Sequence, residues 1–476
     1  MNRQPFSLVS RAQIVVLVLV SAICAQTWPQ HIIDNQDDGA DGIRFADING
    51  DGLLDGVSGW EEAHRVRIYL HPGVAAVTQR WPKATIASNQ GALEDACFHD
   101  IDHDGAMDVI SCAEANGRVA FHWGPTDAAD LLTPSAWETA ALPVTQGKSW
   151  MFAVPAQIDG TRGMDIVVGG KFGKLLWLRC PSDPRALDRW QLHEIASGGD
   201  WTMSVHPRDM DGDGDLDIIW LSRKGTSPGV RVLFNPLPDG DPAAPWEAVR
   251  VGGNEDAMLG AVVDMDNDGR LDILAPVRDE YTVQFYRQIS GNGRQWALYS
   301  IPVESTPVKG VNAGDLDGDG AIDLAVAYVA RPEWRKHNGT VLSTDWSART
   351  LSGTGGKLDH VELYDVDRDG DLDYLTTCEN GNQVVWYENP FDNGGAPTAF
   401  VDPFLAPAPA TTVSRPSVAP APTFRVNAMH VTVLGLDRFA GVLSEATLLN
   451  GRCVAARRAA THSVPHVFVD MAKEKR

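Results

Sequence analysis

An acidic nine-residue pattern, DxDxDGxxD, returns along this chain every 50 to 57 residues, and a period of that size admits solenoids or propellers and little else. Six copies run Asp47–Asp55, Asp100–Asp108, Asp209–Asp217, Asp264–Asp272, Asp315–Asp323 and Asp365–Asp373. A seventh, Gln157–Asp165, is degenerate.

The spacing suits calcium. Ca²⁺ takes roughly six to eight oxygen ligands at ~2.3–2.6 Å, and a tight loop offers side chains at alternate positions. Positions 1, 3, 5 and 9 would ligate, glycine at position 6 would permit a sharp turn, and the carbonyl of position 7 would face the ion. The expected ligands are Asp47, Asn49, Asp51 and Asp55 in the first loop, and Asp100, Asp102, Asp104 and Asp108 in the second. They continue as Asp209, Asp211, Asp213 and Asp217, then Asp264, Asp266, Asp268 and Asp272. The last two sets are Asp315, Asp317, Asp319 and Asp323, and Asp365, Asp367, Asp369 and Asp373. About six structural Ca²⁺ ions are therefore expected.

An EF-hand starts the same way but needs Glu at position 12 and a following helix. Position 12 here is Ser58, Ser111, Trp220, Ala275, Val326 or Thr376, and β-rich runs such as IIWLS and LAVAYV follow. In the degenerate copy Gln157 and Thr161 replace two carboxylates and Arg162 replaces the glycine, so no ion is expected there. That copy keeps Ile158 and Met164 at the apolar positions 2 and 8, as the others keep theirs, so the turn is expected to pack with or without metal.

A second repeat has the same period. Trp28, Trp81, Trp137, Trp190, Trp246, Trp296 and Trp346 each precede a loop by 18 to 20 residues, and an aliphatic residue follows each five positions later, from Ile33 to Leu351. An odd separation of five implies either burial of both strand faces or a bulge. Each unit reads as pre-loop strand, acidic turn, second strand, third strand and Trp strand. The fold class is then all-β, a seven-bladed β-propeller with four-stranded blades. The last unit ends at Val384–Pro390 without a Trp strand, and Trp28–Ile33 is expected to supply it, closing the ring.

These loops resemble the FG-GAP or VCBS-type repeats, also found in integrin α-subunits, over residues 27–395. The resemblance implies a propeller with ions in the turns between first and second strands. Third-strand endings such as FNP and YENP look like those of secreted bacterial propellers.

Residues 1–25, with Arg3, Arg11, the apolar run Ile14–Val20 and SAICAQ, have the build of a secretory signal peptide, with cleavage expected near Cys24 or Ala25. Ile23 is not the small residue that a lipoprotein anchor at Cys24 requires. A secreted, periplasmic or cell-surface location follows, with no membrane span elsewhere. Residues 396–424 read as a Pro/Ala-rich linker, and 425–476 as a tail of no assigned fold. Cys97 and Cys112 flank the second loop and could form a bridge or two separate thiols. The formal charge of −23 is concentrated in the loops, and six Ca²⁺ ions would roughly halve it. No basic stripe offers a nucleic-acid surface.

A propeller's ligand site is expected on the axial face opposite the acidic turns. Position relative to the loops brings Asp41, Glu94, Asp95, Lys148, Trp150, Asp200, Trp201, Asp256, Lys309, Asp359 and His360 toward the axis there. Trp60, Glu61, Glu114, Lys171, Arg223, Trp334, Arg335 and Glu379 would form the rim. Aromatic planes beside carboxylates and cations suit sugar or acidic-sugar recognition. The expected role is a binding module for a glycan or an extracellular protein, acting as a monomer. The alternative is a carbohydrate-active lyase or dehydratase, although no nucleophile elbow, metal-ligand helix or glycosidase signature is visible.

Overall fold

The computed structural model describes residues 27–114, 117–161, 163–253, 255–303, 307–353 and 356–391, together with the backbone of Leu443–Leu449 and Arg452–Arg458. The leader, Cys24, Arg162 and the linker lie outside the described residues. In the tail, Leu443–Leu449 and Arg452–Arg458 form an antiparallel pair belonging to a separate unit.

Seven four-stranded antiparallel sheets make up a seven-bladed β-propeller. Blade one runs Ala40–Ala46, Asp55–Trp60, Arg65–Tyr69 and Lys83–Ser88 from the axis outward. Blade seven consists of Leu358–Tyr364, Asp373–Cys378 and Gln383–Tyr387, with Gln30–Asp34 as its outermost strand. The N-terminal strand pairs Gln30 with Tyr387 and Ile32 with Val385, so the ring is joined by its two chain ends.

Burial explains the weak alternation of the sequence. The second strands Asp55–Trp60, Asp108–Ala113, Asp272–Val277, Asp323–Tyr328 and Asp373–Cys378 are buried at every residue, because neighbouring blades cover both faces. The outer strands Glu247–Arg250 and Trp346–Thr350 are largely exposed. The hydrophobic core is divided into wedges between successive blades. Val57 and Ile68 of blade one meet Ala96 and Val109 of blade two. Tyr364 and Trp386 of blade seven meet Phe45 and Trp60 of blade one, which completes the circle.

The repeated tryptophans anchor the outer strands. Their indole N–H groups donate to carbonyls a few residues upstream, as in Trp81 to Val77 at 3.2 Å, Trp137 to Leu131 at 2.9 Å, Trp246 to Pro242 at 2.9 Å and Trp346 to Ser343 at 2.7 Å. Register shifts between Ile32 and Asp34, Val66 and Arg67, and Leu175 and Leu176 let the ring just ahead of the outer strand and the aliphatic residue five positions later, on that strand, both reach core. Both halves of the sequence expectation, two buried faces and bulges, contribute. Cys97 and Cys112 are separate thiols, Cys97 Sγ lying 3.3 Å from the Ala153 carbonyl.

Candidate functional site

The acidic turns all lie between the innermost and second strands. The glycine at position 6 has φ of 83° at Gly52, 92° at Gly105, 95° at Gly214 and 85° at Gly320, the left-handed conformation the turn requires. Position 4 is left-handed as well, including His103, Asn267 and Arg368, which no sequence feature signalled. An L-residue held there costs about 1–2 kcal/mol.

The aspartate at position 9 has a structural duty besides any ligation. One oxygen of Asp108 accepts from the Ile101 backbone N–H at 3.0 Å and the other from Gly124 at 2.8 Å, tying the turn's start to the end of the third strand. Asp55, Asp217, Asp272 and Asp373 repeat this staple. Asp165 does so in the degenerate turn, with Ile158 at 3.1 Å and Cys180 at 2.8 Å. There Arg179 Nε lies 2.7 Å from Asp159, a guanidinium standing where the other turns gather carboxylates.

The remaining loops fit a divalent cation. Oxygen atoms of Asp100, Asp102 and Asp108 lie within 4.8 Å of one another, as do those of Asp209, Asp211 and Asp217 and of Asp264, Asp266 and Asp272. Buried oxygens of Asp100, Asp211, Asp266, Asp317 and Asp365 have no hydrogen-bond partner. Other carboxylate oxygens of these turns pair with protein cations: Asp102 with Arg185 at 2.5 Å, the second oxygen of Asp211 with Arg294 at 3.1 Å and Asp319 with Lys336 at 2.6 Å.

Burial pushes the position-9 carboxyls of Asp55, Asp108, Asp165, Asp217, Asp272 and Asp323 up to about 7. In an unfolded chain they titrate near 4. The folded protein therefore takes up protons as pH falls through 7 while the unfolded chain does not, and stability should rise over that interval. In excess EGTA, the melting temperature is expected to increase from pH 8 to pH 6. A flat or falling melt under those conditions would contradict it.

At the opposite axial end the candidate residues separate into three environments. Trp150 is fully buried, its indole N–H 2.7 Å from the Thr145 carbonyl and its ring edge-on to Phe172. Trp60 and Trp334 are likewise core, and Arg335 is buried beside Glu333. None of these presents an open face. Asp95 and His360 sit deeper, around Arg44, at 3.4 Å from its Nε and 3.4 Å from its Nη2, with Glu362 at 3.2 Å. The guanidinium of Arg44 lines a small central cavity with His206 and Glu362.

The second environment joins blades one, two, three, six and seven. Oxygens of Asp41, Glu61 and Glu379 lie within 4.8 Å of one another, as do those of Glu61, Glu94 and Glu114. Lys171 lies 3.2 Å from Glu94 and also pairs with Glu114, Lys309 pairs with Asp359, and Lys357 with Glu379. Burial and the adjacent Glu114 push Glu94 up to about 8, whereas the same contact lowers Glu114. Asp41 is held well above the ordinary carboxyl range by burial and then by Asp359 and Glu94. Lys357 was absent from the sequence expectation, although it stands two residues before Asp359 at the same end of the innermost strand.

Trp201 forms the third environment. Lys224 Nζ lies 3.6 Å from its ring centroid, Lys171 Nζ 4.5 Å and the Arg223 guanidinium carbon 4.8 Å. Asp256 accepts from the Lys224 backbone N–H at 2.7 Å and lies 3.9 Å from Arg223. Asp200 is exposed nearby, at the start of the same strand. Lys148 is exposed, 5.6 Å above the Phe172 ring. Lys171 touches both the carboxylate group and Trp201, so these two environments are continuous.

Among the described residues no helix is long and apolar enough to cross a membrane. No curated protein matches the sequence. Among solved structures, an Agrocybe aegerita lectin described as recognising non-reducing terminal N-acetylglucosamine is 16% identical, with 66% of this chain and 80% of that chain covered and a TM-score of 0.42. BBS1N in complex with ARL6DN is 12% identical over 76% of this chain and 96% of that one, TM-score 0.46. Rhamnogalacturonan lyase YesW is 11% identical over 77% and 76%, TM-score 0.44. FG-GAP-like repeats match at residues 47–111, 112–220 and 264–326, which take in the acidic turns of blades one, two, four, five and six and the degenerate turn of blade three. With those repeats and seven four-stranded blades, the chain belongs to the FG-GAP-type propeller family.

Proposed function

We propose that this protein is a secreted, calcium-stabilised binding module whose axial face, opposite the acidic turns, takes an acidic carbohydrate. The carrying observation is the continuity at Lys171, which has Glu94 and Glu114 on one side and the Trp201 ring on the other. Carboxylates and lysines suit a hydroxyl-rich ligand as acceptors and donors, and Lys171, Arg223 and Lys224 around one indole suit a carboxylate or sulfate borne by it. Calcium in the turns at the other end holds the blades and does not touch the ligand. The leader-like N-terminus supports export.

A lyase is the second reading, favoured by one feature. Glu94, with its raised pKa, and Glu114 form a pair able to hold a proton beside the Lys171 ammonium, an arrangement suited to proton transfer.

A panel of neutral and acidic polysaccharides, read for both affinity and ultraviolet absorbance of unsaturated products, separates the two. Binding without product is expected. Trp201→Ala should weaken that binding at least tenfold, about 1.4 kcal/mol. It should leave calcium uptake unchanged. Loss of thermal stability with no ligand in the panel would instead make Trp201 a packing residue held by its three cations.

A further inference from the structure

We propose that the carboxylates of Asp215 in blade four and Asp371 in blade seven are additional calcium ligands, which makes these two turns tighter sites than those of blades five and six. The inference rests on the calcium reading above. It concerns position 7, which the pattern leaves free and where a loop of this kind offers only its carbonyl. The other turns have Leu53, Ala106, Arg270 and Ala321 at this position.

Asp371 is 1% exposed, and both its carboxylate oxygens are buried without a hydrogen-bond partner. Both oxygens of Asp215, a residue of intermediate burial, likewise have no hydrogen-bond partner. Each side chain lies in the field of the three preceding aspartates of its own turn, Asp209, Asp211 and Asp213 for Asp215, and Asp365, Asp367 and Asp369 for Asp371. A buried carboxylate with neither hydrogen bonds nor a counter-charge is costly, and placing it against three like charges raises that cost. A divalent cation among the carboxylates supplies the missing partner.

Blade five shows the opposite sign at the same position. Arg270 occupies it and pairs with Asp268, while Arg287 Nη2 lies 2.8 Å from the same carboxylate. In blade six the Lys336 ammonium lies 2.6 Å from Asp319 and also pairs with Asp317. A calcium ion entering those turns meets a cation already seated on its ligands. In blade four Arg294 reaches Asp211 but also pairs with Glu247 at 2.7 Å, so its charge is shared. Ligand charge count sets affinity in oxygen-ligated calcium loops. The turns of blades four and seven therefore fill before those of blades five and six.

Calorimetric titration of the calcium-stripped full chain tests this. Two sites at least about tenfold tighter than those of blades five and six are expected. Asp371→Asn and Asp215→Asn should each abolish one tight site, and Arg270→Asp, which removes one cation and adds the carboxylate to blade five, should tighten that site even though Arg287 stays on Asp266 and Asp268. Retention of both tight sites in the Asn variants, or unchanged affinity in Arg270→Asp, would overturn the assignment of position 7. A wild-type chain that takes up no calcium at all would overturn the calcium reading itself, a result distinct from six sites of equal affinity, which would overturn only this inference.

Discussion

Chelating calcium should lower the melting temperature of this protein by roughly 3–10 °C. If each turn binds as extracellular modules do, with dissociation constants of ~0.1–1 mM, one millimolar calcium contributes about 0.4–1.4 kcal/mol per site. Six sites give roughly 2–8 kcal/mol. A propeller of this length unfolds with an entropy of about 0.8 kcal/mol/K, and the quotient is the expected shift. The effect comes from crowding: aspartates at positions 1, 3 and 9 converge within a few ångströms, and protein cations reach only some of the turn carboxylates. The degenerate turn of blade three, with Arg179 on Asp159, should contribute nothing to the calcium dependence. Differential scanning fluorimetry in excess EGTA and in millimolar calcium measures the shift. Coincident melts would remove calcium from the account.

Deleting Trp28–Ile33 should be more damaging. These residues lead into and make up most of Gln30–Asp34, the strand that completes blade seven, and its loss leaves Gln383–Tyr387 as an unpaired edge inviting association with other chains. The strand also links blades that are distant in sequence. Trp28 packs with Trp334 of blade six at a centroid distance of 6.3 Å, and Ile33 lies in the wedge with Phe45 and Trp81 of blade one. Burying a large apolar side chain is worth about 1.5–3 kcal/mol, so Trp28, Ile33 and the lost ladder together exceed the contribution of any single turn. Size-exclusion chromatography should show aggregates, or the soluble fraction should melt at least about 10 °C lower. A monomeric truncation with an unchanged melt would mean that the ring closes without this strand.

The blade count was legible because its signals are local. The acidic turn and the tryptophan recur at fixed offsets, each blade is one continuous stretch of chain except where the N-terminal strand closes the seventh, and turn geometry and strand order follow from neighbours in sequence. The ends of the innermost strands were legible for the same reason, and the sequence correctly brought Asp41, Glu94, Lys309 and Asp359 to one axial end. What the sequence could not reveal was which of those side chains are available. Trp150 and Trp201 occupy equivalent positions in adjacent blades, yet one is sealed against Phe172 and the other lies under three cations. The staple made by Asp165, the Arg179 guanidinium in the degenerate turn and the unpartnered carboxylate of Asp371 were equally invisible. The sequence by itself determined the repeat, the blades and the end at which each loop emerges, because these depend on contacts within one unit. Only the tertiary structure decided the pairing of charges between blades, because Lys171 meets Glu94 through the packing of one blade on the next, and Arg44 of blade one meets Glu362 of blade seven only once the ring has closed.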